Sequence, residues 1–231
     1  MRTVASLIVV LTASLPAWAQ PSPLAPSMTA RPRVERHVVL EPVVGVWTHT
    51  FRDSDYQSKP GATYGFEFVI DPFRFMNVRA GVIQGKQPFS MPSSKLTDEA
   101  RVFQPSLDFT RLHLRLEPTW HYSDRLSFYV GLGMGWSRFI ADDPKASPTL
   151  YSFRRSGVYL GYEGALGVAF EPIVNWMVID FSVAADYITN QSGSAFSASQ
   201  AFTEDGHRTS LSGLSKFSAA YRAGLGIGII L

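Results

Sequence analysis

The sequence contains no cysteine. That excludes a disulfide scaffold, thiolate zinc sites and a cysteine nucleophile. Charge is scarce as well. Asp, Glu, Lys and Arg make up 17% of the 231 residues, where soluble domains carry about 25%. Neither sign dominates: 21 Lys and Arg stand against 19 Asp and Glu. Despite a pI near 8.9, that balance gives no electrostatic case for a nucleic-acid partner. Beyond the first residues there is no charge-free apolar run of about 18 residues, so a helical membrane protein is disfavoured. What is present is 45% hydrophobic and 13% aromatic residues, which argues against a disordered chain. So apolar a chain, with so few charges and no spanning helix, must place its apolar residues in another way.

The first residues read as an export address. Arg2 supplies a positive start, Val4 to Leu15 is apolar apart from small hydroxyls, and Ala17-Trp18-Ala19 forms an Ala-x-Ala cleavage site. We expect residues 1–19 to be a cleaved signal peptide, because the apolar run is too short to span a bilayer. Residues 20–35 are rich in proline and serine, with Pro21, Pro23, Pro26 and Pro32, and read as a flexible lead-in. No further domain boundary is expected within 36–231.

From there the dominant signal is alternation with period two. In 126–137, Leu126, Phe128, Val130, Leu132, Met134 and Trp136 share one face, opposite serines, glycines and Tyr129. In 158–170, Leu160, Tyr162, Leu166 and Val168 oppose Tyr159, Glu163 and Ala165. Met177 to Tyr187, Tyr64 to Ile70, Met76 to Val82, Leu112 to Leu116 and Phe217 to Leu231 alternate likewise. Successive side chains of a strand point to opposite faces, so each segment has one apolar face and one polar or small face. A helix would smear the same residues around its circumference. The first segment, about 38–51, is less regular; Leu40, Val44 and Val46 are expected outside, with Glu41, Gly45 and His49 inside. The total is eight strands.

Connections near 71–75, 118–125 and 171–175 are short, and Pro72, Pro118 and Pro172 mark them as turns. Those at about 52–61, 86–106, 139–154 and 188–215 are mostly longer and polar. Short turns at one end and long loops at the other describe an all-β, eight-stranded, antiparallel, up-and-down transmembrane β-barrel. The polarity of the faces sets which one meets lipid. The non-apolar faces hold Glu67, Arg79, Arg111, Arg115, Glu117, Glu163, Asp180, Asp186 and Arg222, among many small residues. An eight-stranded barrel has an interior just wide enough for side chains to fill. Small residues with paired Arg and Glu fit there, whereas eight rows of Leu, Phe and Trp would overfill it. We therefore expect the apolar face in lipid and the nine charges in the lumen as a network. Tyr64, Trp136, Phe170, Tyr187 and Phe217, with Trp120, Tyr122 and Trp176 near the short turns, are candidates for interfacial aromatic girdles.

The C-terminal segment Tyr221-Arg-Ala-Gly-Leu-Gly-Ile-Gly-Ile-Ile-Leu231 resembles the assembly signal of outer-membrane β-barrel proteins, with Arg222, Gly224, Ile227 and Ile229 matching its pattern. The usual bacterial terminus is aromatic, and Leu231 departs from it. With the export signal and eight strands, residues 36–231 resemble a small outer-membrane barrel of the OmpA/OmpX type. That resemblance implies export in a Gram-negative cell, insertion by the barrel-assembly machinery and residence among outer-membrane lipid. It implies no single activity, because the fold hosts several.

Site chemistry is otherwise sparse. His121-x-Ser123 superficially resembles the His-x-Ser of lipid A 3-O-deacylases, but Asp124 follows where those enzymes have Asn, and the pair falls at a short turn. Gly131-x-Gly133-x-Gly135 and Gly224-x-Gly226-x-Gly228 have the wrong spacing for a dinucleotide fingerprint and open no helix. His37, His49, His113, His121 and His207 show no metal-ligand spacing. No catalytic residue, metal or cofactor is expected. The expected function is that of a non-enzymatic outer-membrane barrel with a structural or surface-interaction role and a lumen plugged by ion pairs. A narrow pore for ions or small solutes is the alternative, and a lipid-modifying enzyme the weaker one. The long loops, especially serine-rich 188–215, are the place for an extracellular or envelope partner.

Overall fold

A computed structural model describes residues 38–54, 56–73, 75–90, 106–142, 154–196, 199–202, 208–211 and 214–231. The export signal and the lead-in expected at 1–35 lie outside them. Eight long strands follow one another: β1 (Val39–Phe51), β2 (Gly61–Phe73), β3 (Met76–Ser90), β4 (Ser106–His121), β5 (Leu126–Asp142), β6 (Arg154–Ile173), β7 (Met177–Gly193) and β8 (Phe217–Ile230). Each pairs antiparallel with its neighbours in the chain, and β8 pairs with β1, so the sheet closes on itself. Closure leaves no edge with unpaired backbone groups, which is the condition for a sheet in hydrocarbon.

The closing register runs from Val39 opposite Ile230 to Phe51 opposite Phe217. The Val39 end carries the three short turns, at Phe75, 122–125 and 174–176, and the last strand also ends there. In the third turn Asn175 takes a positive φ of 60°, a conformation asparagine tolerates better than most side chains. The opposite end carries the long connections. A two-residue strand, Gln57–Ser58, bridges to Ser90 and Phe89 there, and a small hairpin joins Ser199–Phe202 to Arg208–Leu211.

The apolar face lies outside. Leu132 is 67% exposed and Phe66 56%, and Val46, Leu114, Leu166, Val183 and Ile227 share that surface. So continuous an apolar exterior is incompatible with water and suited to acyl chains. Exposed aromatics band it at two levels. Phe73, Phe75, Trp120, Tyr122 and Trp176 lie at the turn end, and Tyr64, Trp136, Tyr162, Tyr187 and Tyr221 lie nearer the loops. Tyr64 and Phe73 stand nine residues apart on β2. At about 3.3 Å per residue and a tilt of about 40° the bands are roughly 23 Å apart, close to the lipid-facing height of about 25 Å. Replacing Leu132 with arginine is therefore expected to lower unfolding free energy by about 2–4 kcal/mol, read by urea titration in lipid vesicles.

The strands are longer than the sequence pattern indicated. They run from 13 residues in β1 to 20 in β6, against the roughly 9–11 a membrane requires. The surplus rises beyond the loop-side band, where the outer face turns polar with Thr50, Lys86, Arg138 and Asn190. Pro72 and Pro172 are not turn residues. They sit in β2 and β6 where the ladder slips, between Ile70 and Phe73 and between Phe170 and Ile173. Proline cannot donate to a ladder, and a slip is where a strand tolerates it.

Phe217 also departs from expectation. It is no girdle residue but is fully buried inside the barrel. The register between β1 and β8 shifts between Thr50 and Phe51, so Thr50 faces Ala219 while Phe51 faces Phe217. That bulge adds Ser218 and turns Phe217 inward. The Gln191 side chain replaces the ladder at this point: its amide donates to the Phe217 carbonyl at 2.5 Å and accepts from the Phe217 N–H at 2.7 Å.

Candidate functional site

The candidate site is the barrel interior, and it is filled in three layers. At the turn end Val39, Val69 and Val178 pack together, with Ala169 and Ile230 against them. In the middle lies a buried ionic network. Toward the loops lies a large apolar cluster that includes Trp47, Phe51, Phe89, Phe109, Phe139, Tyr159 and Phe217.

Alternation along the strands builds the ionic layer. Outward Leu112, Leu114 and Leu116 force Arg111, His113, Arg115 and Glu117 of β4 inward. Outward Phe66 and Phe68 do the same for Glu67. All nine charged residues singled out in the sequence (Glu67, Arg79, Arg111, Arg115, Glu117, Glu163, Asp180, Asp186 and Arg222) are buried, and the ion pairs join them into one cluster. The Arg79 guanidinium is its hub. Nε donates to Glu117 at 2.8 Å, Nη1 to Glu67 at 2.7 Å and Glu41 at 3.0 Å, and Nη2 to Asp180 at 2.9 Å. Arg115 bridges Glu117 at 3.0 Å and Glu163 at 2.6 Å. Arg111 grips Glu163 at 2.7 Å and Asp186 at 2.6 Å. Arg222 donates to Glu67 at 2.6 Å, and His113 Nε2 lies 3.2 Å from the same carboxylate.

Two aromatic rings tie this layer to its surroundings. The Tyr129 hydroxyl donates to Asp180 at 2.8 Å while its ring lies 5.2 Å from the Arg79 guanidinium. Arg111 sits 5.3 Å from the Trp47 ring, where the ionic layer meets the aromatic one. Glycines make room for these groups. A methyl on Gly135 would collide with the Arg111 guanidinium, and one on Gly167 with the Tyr129 ring.

The aromatic layer holds one buried histidine. His49 Nδ1 donates to Gln87 Oε1 at 2.7 Å, and Nε2 accepts from the Tyr159 hydroxyl at 2.9 Å. Phe217 lies 4.8 Å from the His49 ring. With both nitrogens bonded inside an aromatic cage, His49 is a packing residue with a satisfied polar edge.

Residues beyond those nine complete the layers. Glu41 and His49, expected inside on the irregular first segment, are both fully buried. Trp47, Gln87, Phe109 and Phe139 carried no period-two signal that marked them. Gly224, Ile227, Ile229 and Leu231 of the terminal pattern stand on β8 and just after it, with Ile227, Ile229 and Leu231 exposed on the outer wall. His121 ends β4 and Ser123 lies in the second short turn, where the Ser123 hydroxyl accepts the backbone N–H groups of Arg125 and Leu126 at 3.2 and 3.1 Å. That is a turn-capping role. Among the described residues no group of His, Asp and Glu is arranged to hold a metal ion.

No protein-family model matches the chain, and no curated protein matches it. Solved structures do. A major outer membrane protein from Thermus thermophilus is 14% identical, with 84% of this chain and 99% of that one covered at a TM-score of 0.54. The outer membrane protein OprG of Pseudomonas aeruginosa is 11% identical, with 85% and 97% covered at 0.52. Ail, the attachment invasion locus protein of Yersinia pestis, is 15% identical, with 85% and 99% covered at 0.49. The first two show the fold: an eight-stranded barrel of the outer-membrane type.

Proposed function

We propose that this chain is an exported, integral outer-membrane protein of a Gram-negative cell, non-enzymatic, whose barrel is a closed structural support for the long loops at its far end. One observation carries the reading: the interior is packed along its length by a valine layer, an ion-pair layer and an aromatic layer. A lumen of eight strands is narrow enough for side chains to close it. The outer wall meets outer-membrane lipid, and the barrel-assembly machinery inserts the chain, reading Arg222, Gly224, Ile227, Ile229 and Leu231 as its signal. The loops then offer a surface for an extracellular or envelope protein. Neither nucleic acid nor a cofactor enters this reading.

Purified protein reconstituted into planar bilayers is expected to give no conductance steps, and the folded form to migrate differently from the heated form on a gel. Reproducible unitary currents would replace the closed barrel with a pore. Changed lipid A on overexpression, seen by mass spectrometry, would replace it with an enzyme.

A further inference from the structure

The ionic layer does not balance. Its carboxylates are Glu41, Glu67, Glu117, Glu163, Asp180 and Asp186, against the guanidinium groups of Arg79, Arg111, Arg115 and Arg222. Fully ionised, the acids exceed the arginines by two negative charges in a space closed by apolar layers on both sides, and His113 does not offset them: the Nε2–H of a neutral ring faces Glu67, while Nδ1 meets no acceptor among the described residues. Buried charge without a counter-charge is not sustained at that cost, and the group takes up a proton instead. We propose that the folded barrel binds two protons in this layer, one on the Glu41 carboxyl and one on the Asp186 carboxyl.

The distribution of contacts selects these two. Glu67 is met by Arg79, Arg222 and His113, Glu163 by Arg111 and Arg115, and Glu117 by Arg79 and Arg115. Asp180 has Arg79 and the Tyr129 hydroxyl. Among the described residues Glu41 pairs with Arg79 alone, at 3.0 Å the longest of that guanidinium's four contacts. Asp186 pairs among them with Arg111 alone, and Glu163 competes for it.

The groups around Glu41 reinforce the choice, and Asp186 keeps one arginine within pairing distance. Glu41 faces Glu67 from β2, Arg79 from β3, Glu117 from β4 and Asp180 from β7, so three acids surround it for one base. Tyr129 of β5 and, further toward the turns, Asp71 and His121 border the same space. Asp186 faces Arg111 from β4, Glu163 from β6 and Arg222 from β8.

A second observation concerns Glu41. Glu41 Oε1 and Glu117 Oε2 are the carboxylate oxygens of the layer that are buried without a hydrogen bond among the described residues, and of the two only Glu41 lies beside a cavity. The residue borders a cavity of about 30 Å³ between the ionic and valine layers, shared with Asn77, Ser127 and Tyr129. That space has room for one water molecule. A protonated Oε1 donates to such a water, which satisfies the buried oxygen without adding a negative charge beside Glu67, Glu117 and Asp180.

Infrared difference spectra of the full chain in lipid vesicles at neutral pH test this. Wild type is expected to show the carbonyl stretch of protonated carboxylic acids. Glu41→Gln and Asp186→Asn should each remove about half of it, and the double variant all of it. Absence of the band from wild type, or its survival in the double variant, overturns the proposal. Urea midpoints give an independent reading. Glu41→Gln and Asp186→Asn exchange a neutral acid for a neutral amide and should leave the midpoint unchanged, while Glu67→Gln and Glu163→Gln should lower it. An equal loss in all four overturns the proposal as well.

Discussion

Arg79→Met is expected to destabilise the barrel by about 3–5 kcal/mol, enough to abolish the heat-modifiable folded form in a marginal case. The reason is arithmetic at one side chain. Arg79 donates to Glu41, Glu67, Glu117 and Asp180, all buried. Removing it strands the charges of Glu67, Glu117 and Asp180 where water cannot reach them, and of these only Glu67 and Glu117 retain arginine partners. Adding Asp180→Asn or Glu117→Gln to Arg79→Met should recover part of the loss, because each deletes a stranded charge. Arg79→Lys should fall short of wild type, since an ammonium cannot reproduce the planar fork that serves four oxygens. The contrast is Lys86, paired with Asp108 at 3.6 Å on the outer wall with both side chains about half exposed. Lys86→Met should change stability by less than about 1 kcal/mol. Urea unfolding in vesicles checks all of these, and an equal effect at both positions would refute the hub role.

The second large effect is expected at Phe217→Ala, at about 3–5 kcal/mol. The Phe217 ring contacts Phe51 and Phe139 with centroids at 5.1 Å and His49 at 4.8 Å, and Phe196 lies 5.7 Å away. Truncation empties the middle of the aromatic layer, and the closed wall around it cannot collapse to fill the space. Phe170→Ala removes the same ring from the lipid-facing wall, where acyl chains take its place, and should cost far less. Had Phe217 faced lipid as the simple alternation implies, the two variants would behave alike. Bilayers should stay silent in both, because the ionic layer lies between the aromatic one and the turns.

The ionic layer was legible in the sequence because lipid allows a charge only one address. From 112 to 116 on β4 every second residue is an outward Leu, so Arg111, Arg115 and Glu117 beside them have nowhere to go but inward. The same holds for Glu163 between Tyr162 and the outward leucines of β6, and for Asp180 and Asp186 of β7. What was not legible was the pairing among them, because register across strands is not written in any one strand. The aromatic layer was hidden for a different reason. Phenylalanine and tryptophan suit a lipid-facing wall and a packed interior equally, so their type does not report their side. Phe109 and Phe139 also lie where the strands rise past the membrane and the outer face turns polar, and there the alternation reverses its usual contrast. At Phe217 the bulge beside Ser218 changes the phase, and a bulge leaves no mark in a count of every second residue. The irregularity of β1 has a visible cause in hindsight: Pro42 points outward and Val43 and Trp47 inward, so neither face is uniformly apolar.

The seam between β1 and β8 has a consequence for how the molecule comes into being. Val39 pairs with Ile230 and Leu40 with Ile229, residues separated by nearly the whole described length. Hairpins such as β5–β6 can zip up locally, but the ring stays open, with two sticky margins, until the last strand arrives. The same delay holds back the electrostatics, since Arg222 of β8 meets Glu67 of β2 only once the gap shuts. Closure and the pairing of Arg222 with Glu67 thus come together, and any helper that shepherds this polypeptide must shield both margins until then.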